Sequence, residues 1–270
     1  MSRLVVHDFG LSGPEAPTLL LLHGYSDSGT NWADAVAHWQ HKYRIVSPDA
    51  LGHGSSPRYT EAELAVDPSI AMYDTTIDIL ERLVAEGSRV AVVGHSMGGR
   101  MAGLIAGRRP DLVVAAVLED PAWISGEVTA DSVEAFTAAE RQRWEHERDL
   151  RLAEARASGW PESELEAWLD AKRDLDKRFG ARRQLVSPDP WQAEVEALAV
   201  PTLIVTGDRD VILDEQLLHE VQTLVPAGVE IAVLPNAGHC VRRENRAGYY
   251  AVVDAFLDAF LDAFLPARVS

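Results

Sequence analysis

The chain has 270 residues, with 25 Lys and Arg against 42 Asp and Glu, a formal charge of −17 and 47% hydrophobic residues. That length buries most of its apolar surface in one large domain or one domain with an insertion, and the composition excludes disorder and a membrane-spanning bundle. One cysteine leaves no intramolecular disulfide, and the negative balance argues against nucleic acid and reads as plain solubility.

Met1 to Gly10 carries one arginine and a short apolar patch, too little for a secretory leader. No apolar run approaches the ~18 residues of a transmembrane helix, so the expectation is a cytoplasmic protein with no membrane partner. Leu4–His7, Thr18–Leu22 and Arg44–Ser47 read as strands, the second ending at His23-Gly24 and the third leading into the turn-rich Pro48–Pro57. Met72–Leu83 has helical spacing, Arg89–Val93 is a Val-rich strand closed by Gly94, a helix runs from about Met97 to Gly107, and Val113–Leu118 is the next strand. Continuous apolar runs of this kind are strands buried on both faces, and their alternation with helices predicts an α/β protein with a mostly parallel sheet. From Trp123 to Ala199 the alternation stops. Ala135–Ala157 and Glu162–Phe179 read as two helices broken at Ser158-Gly159-Trp160-Pro161. Pro201–Thr206 (strand), Asp214–Leu224 (helix), Glu230–Leu234 (strand) and a closing helix from about Asn245 to Leu265 restore the pattern. Residues 1–122 and 200–270 are therefore expected to form the core, and residues 123–199 an inserted helical segment that is either a functional lid or a decoration, with the lid reading preferred. The threefold Asp-Ala-Phe-Leu repeat from Asp254 places Phe256, Phe260 and Phe264 on a slowly drifting ridge, expected to pack on the sheet.

Gly94-His95-Ser96-Met97-Gly98-Gly99 stands between a predicted strand and a predicted helix, the setting of a nucleophile elbow. Glycines let neighbouring backbone approach, Ser96 is held at the tip, and the helix N-terminus aims N–H groups at the same point. A phosphate loop would need the pattern G-x-x-x-x-G-K-[ST], which is not matched. A serine nucleophile needs a base and the base an orienting acid. His239, in Asn236-Ala-Gly-His-Cys after the last strand, is the candidate base. The acid is expected after the strand Pro201–Thr206, where Asp210 is preferred and Asp208 is the alternative; Asp120 or Glu119, ending the strand before the insertion, is more remote. Cys240 reads as a small buried filler. No metal-ligand pattern is present, so no cofactor is expected.

The order Ser96, Asp210, His239 resembles the α/β-hydrolase fold family. His23-Gly24, Asp49-Ala-Leu-Gly-His-Gly-Ser, the elbow, and the Gly207–Asp210 and Gly238-His239 loops match in order along nearly the whole chain. The resemblance implies a cap before Pro201, an oxyanion hole from the backbone N–H groups of Tyr25 and Met97, and a structural turn at His53. Trp32, Trp123 and Ile124 are candidates for pocket walls, each as readily core residues. The implied activity is hydrolysis of a carboxylic ester or lactone of a small apolar or aromatic molecule through an acyl-enzyme on Ser96. A carbon–carbon bond hydrolase with the same triad, and a triad-retaining ligand sensor with little turnover, are the alternatives. The expected partner is a small-molecule substrate, with the oligomeric state left open.

Overall fold

The computed structural model describes residues 3–13, 16–124, 138, 147–180, 187 and 189–261. In chain order the elements are β1 (Val6–Gly10), β2 (Thr18–Leu22), a 3-10 turn (Gly29–Trp32), α1 (Ala33–Trp39), β3 (Arg44–Pro48), α2 (Glu61–Val66), α3 (Pro68–Ala85), β4 (Val90–His95), α4 (Met97–Arg108) and β5 (Ala115–Glu119). Then come the helices α5 (Arg148–Ala157), α6 (Glu162–Ala171), α7 (Lys177–Gly180) and α8 (Trp191–Glu196). The chain closes with β6 (Thr202–Gly207), α9 (Glu215–Leu224), β7 (Val229–Leu234), α10 (Val241–Glu244) and α11 (Arg246–Leu261).

The seven strands form one sheet in the order β1-β3-β2-β4-β5-β6-β7. Only β1 is antiparallel, pairing with β3 from Val6↔Pro48 to Gly10↔Arg44; the others run parallel. The four strands β2, β4, β5 and β6 are buried at every residue, because helices cover both faces, which is why their sequences carry no polar alternation. One apolar layer packs α3 and α4 on the sheet, with Leu20, Val92, Leu118 and Ile204 at its centre. The other, with Leu19, Leu21, Val93 and Val117, is closed by α1 and α11.

The helix starts follow local chemistry. Thr60 and Glu63 form a capping box on α2, Asp67 caps α3 ahead of Pro68, and Asp214 accepts from Leu217 N to open α9. The first strand lies two residues later than Leu4–His7, because Leu4 turns into the core while Val6 to Gly10 pair along the edge. The expected break at Ser158–Pro161 separates α5 from α6. The helix expected over Glu162–Phe179 ends at Ala171 and is followed by the short α7. Much of the Ala135–Ala157 prediction, and the closing helix beyond Leu261, lie outside the described residues. Between β5 and β6 the described residues form helices and no strand. No helix among the described residues is long and apolar enough to cross a membrane.

Candidate active site

Parallel strands present their carboxyl ends at one edge of the sheet, and β4, β5 and β6 are adjacent there. β4 delivers Ser96 in a turn so tight that its backbone sits at φ 53°, ψ −114°, a region disfavoured for a residue with a side chain. The conformation is over-determined: Ser96 N donates to Glu119 O (2.9 Å), and Ser96 O accepts from Arg100 N (2.9 Å) and Ala122 N (3.0 Å). The two elbow glycines are required sterically. A Cβ on Gly94 would lie 2.0 Å from Gly98 O, and one on Gly98 would lie 2.0 Å from Leu22 O. A Cβ on Gly24 would lie 3.4 Å from Ser96 Cβ, so the loop leading into Tyr25 passes directly beside the serine. Ser96 is 8% exposed.

The loop after β7 brings His239 to the same edge. Its ring centroid is 4.7 Å from that of His95, the residue before the serine, and His239 O accepts a hydrogen bond from His95 Nε2 (3.0 Å). Burial, and then the charge of His239, push the His95 imidazole well below its usual range, so His95 is a neutral strut. The His239 side chain is 34% exposed, and its Nδ1 donates to Asp120 Oδ2 at 2.5 Å. That bond fixes the tautomer and leaves the Nε2 lone pair for a proton from a hydroxyl.

The partner of His239 corrects the expectation for the acid. Asp210 stands exposed in the turn after β6 at φ 50°, and the imidazole bonds to Asp120 instead. Asp208 is also exposed, and its Oδ1 accepts from Ala237 N (3.3 Å). The loop after β6 contributes N–H groups instead of a carboxylate: Ile212 N and Leu213 N donate to Asp120 at 2.8 and 3.0 Å, and Thr206 Oγ1 donates at 2.8 Å. Asp120 is fully buried at the end of β5, flanked by both β4 and β6. The sequence signal was Glu119-Asp120-Pro121, two carboxylates closing a buried strand next to the elbow strand.

Glu119, the other carboxylate of that pair, accepts from Arg242 N through Oε1 (2.8 Å). Burial pushes its carboxyl up to about 6 despite the nearby Arg242. Cys240 is half-buried beside Arg243, and desolvation pushes its thiol up to about 12, which disfavours the reactive thiolate. His53 donates from Nδ1 to Leu51 O (3.0 Å), and burial, with His23 next to it, pushes it down to about 3; it is a neutral packing residue. The expected pocket walls divide. Trp123 is completely buried, with its ring stacked 6.3 Å from Trp191, and belongs to the core. Trp32 is buried under the Arg242 guanidinium, 4.7 Å from its ring, where it borders a polar cavity of about 10 Å³, the size of a single water. Ile124 is exposed at 42%. Tyr25 is half-buried, edge-on to His53 and 6.1 Å from Phe179 of α7.

Comparison with known proteins decides the family. The family model described as "Alpha/beta hydrolase family" matches residues 19–252. The chain belongs to the alpha/beta hydrolase family. Among family relatives, it is 36% identical to lipase LipV of Mycobacterium tuberculosis over 168 residues, which is 62% of this chain and 56% of that protein. It is 28% identical to the sn-1-specific diacylglycerol lipase ABHD11 of Mus musculus over 262 residues, covering 89% of this chain and 81% of the mouse protein. The fold is shared with a thermophilic esterase from Thermogutta terrifontis (TM-score 0.72, 20% identity, 96% of this chain and 94% of that one). It is shared equally with the enol-lactonase from Burkholderia xenovorans LB400 (TM-score 0.71, 20% identity, 94% and 96%). This alpha/beta hydrolase thus has sequence relatives named as lipases and shares its fold with proteins named as an esterase and an enol-lactonase.

Proposed function

We propose that the protein is a serine hydrolase of carboxylic esters or lactones of small apolar or aromatic molecules, with Ser96, Asp120 and His239 as its triad. The observation that carries this reading is the His239–Asp120 bond of 2.5 Å beside a serine held at φ 53°. Ser96 Oγ attacks the ester carbonyl while His239 Nε2 takes its proton, and Asp120 orients the imidazole and stabilises its charged form. The N–H groups of Tyr25 and Met97 would receive the developing alkoxide; a donor of this kind is commonly worth roughly 3–4 kcal/mol of barrier. The alcohol leaves with the proton from His239. Water, deprotonated by the same histidine, then attacks the acyl-enzyme and releases the acid and the serine. The helical segment between β5 and β6 serves as the cap of this site, with Phe179 bringing an aromatic wall to Tyr25.

A panel of p-nitrophenyl esters and lactones assayed with wild type and Ser96→Ala tests the reading. The expected result is hydrolysis in the wild type that falls by several orders of magnitude in the variant. Equal rates in the two proteins would refute it.

A further inference from the structure

Beyond the reacting residues, the densest group of buried charge lies between the helical segment and the two loops that carry the site. Glu164 of α6 is completely buried. Its Oε1 accepts from Asp34 N (3.0 Å) and Arg242 Nη1 (2.7 Å), and its Oε2 from Arg242 Nη2 (2.9 Å) and Arg243 Nε (2.8 Å). These two arginines follow His239 by three and four positions, and Arg242 N also binds Glu119, the neighbour of Asp120. Arg243 reaches onward: its guanidinium lies 4.5 Å over the Trp160 ring, and its Nη2 donates to Asp27 Oδ2 (3.3 Å). Asp27 Oδ1 accepts from Lys172 Nζ (3.0 Å), which also donates to Ser26 Oγ (2.9 Å). Asp27 N closes the turn around Tyr25 by donating to Gly24 O (3.1 Å). Ser26, inside that turn, sits at φ 58°.

Two loops that are distant in sequence, one holding His239 and one holding Tyr25, are thereby tied to the same helix. Glu164 lies in its first turn and Lys172 caps its end. Replacing buried ion pairs by well-packed apolar groups is often neutral or stabilising, so net stability is a weak account of this cluster. Both Glu164 oxygens are satisfied and its contact with Arg242 is bidentate, while Arg242 Nε is buried without a hydrogen-bond partner; the geometry of these charge-assisted bonds fixes direction and register.

We propose that Glu164 and Lys172 are positioning residues. Through them α6 holds the His239 loop and the Tyr25 turn in register with Ser96, so this side of the helical segment is a fixed wall of the active site and not a moving lid. The proposal rests on the serine-hydrolase reading for its kinetic readout, but not for its spectroscopic one.

The test uses the full-length protein and the variants Glu164→Gln, Lys172→Met and Lys172→Arg. It measures kcat and KM on a p-nitrophenyl ester, and the downfield proton resonance of the His239–Asp120 bond. Misplacing a reacting group by about 1 Å can cost on the order of 100-fold. Glu164→Gln is therefore expected to lower kcat by about 10- to 100-fold with KM within about twofold, and to shift or broaden the His239 resonance. Lys172→Met is expected to lower kcat while leaving that resonance in place, because it acts on the other loop, and Lys172→Arg to restore most of the rate. Folded variants with wild-type kcat and an unmoved resonance overturn the proposal, even if their melting temperatures fall. Should Glu164→Gln fail to fold, Lys172→Met decides, since Asp27 keeps its Arg243 partner; a wild-type kcat there is the refuting result. A wild type with no Ser96-dependent turnover would end the serine-hydrolase reading. The resonance in Glu164→Gln would still decide the positioning role.

Discussion

Asp120 is enclosed on every side, and its two oxygens accept from four donors: His239 Nδ1, Thr206 Oγ1, Ile212 N and Leu213 N. A carboxylate satisfies all of them because it only accepts. An amide in its place would turn two N–H groups toward donors or force the imidazole into the wrong tautomer. Asp120→Asn is therefore expected to lower kcat by about three to four orders of magnitude, whereas Asp210→Asn, at an exposed turn position, should leave it within about twofold of wild type. Steady-state kinetics of the two variants check this, and the reverse ranking would restore the acid to the loop after β6. The placement of Ser96 in an elbow and of His239 at the same sheet edge was legible because each depends on a local pattern: glycines packed to 2.0 Å around Ser96, and a glycine-containing loop after the last strand. The acid was not. The order serine, aspartate, histidine is the same for Asp120 and Asp210, and only the strand order β4-β5-β6 shows which carboxylate the imidazole reaches. Glu164, Lys172, Arg242 and Arg243 were equally hidden, because in a charged helical sequence a buried carboxylate looks like a solvated one.

Helix α11 shows the same division between what is periodic and what is partnered. The repeat beginning at Asp254 was legible as a ridge of phenylalanines, and Phe256 is buried with its ring 4.9 Å from that of the half-buried Phe260. The aspartates of the same repeat form a second seam against α1 and the residues after it. Asp254 accepts from His38 Nε2 (2.8 Å) and Trp39 Nε1 (2.7 Å), and Asp258 from Tyr43 Oη (3.1 Å) and Lys42 Nζ. One turn earlier on the same helix, Tyr250 stacks on His38 at 3.9 Å and donates to Asp34 (2.7 Å). Residues four apart share a helix face, so the period is visible in the sequence, but the partners stand 216 residues away and are not. Trp39 is buried, so losing its acceptor costs the desolvation of an N–H group. Asp254→Ala is expected to destabilise the protein by about 1–2 kcal/mol, read as a lower urea midpoint with an unchanged slope; no change in the midpoint would show that water replaces the carboxylate fully.

For the molecule as a whole, buried carboxylates act on stability in opposite directions with pH. Although burial works against them, Lys172 and Arg243 hold Asp27 low, and Arg242 and Arg243 hold Glu164 below the usual range. Folded values below the unfolded ones mean stability that is present at neutral pH and lost as pH falls through the folded values. Glu119 has the opposite sign. Its folded value of about 6 lies above its ordinary 4.5, so its contribution is full below 4.5 and is lost as pH rises through about 6. Glu119→Gln should therefore be more stable than wild type by about 2 kcal/mol at pH 8, with the gap closing below pH 4.5. Melting curves of both proteins across that range check it, and a gap independent of pH would refute it.

The cluster at Glu164 also sets an order of events during synthesis. Glu164 and Arg242 are 78 residues apart, so a chain growing at roughly 5–20 residues per second exposes the carboxylate roughly 4 to 16 seconds before its guanidinium partners exist. Until Arg242 and Arg243 emerge, docking α6 would bury a charge with nothing to neutralise it. Docking of α6 is therefore expected to wait for the loop that bears His239, whereas α7 and α8 already have their partners Tyr59 and Arg100 in the chain made before them.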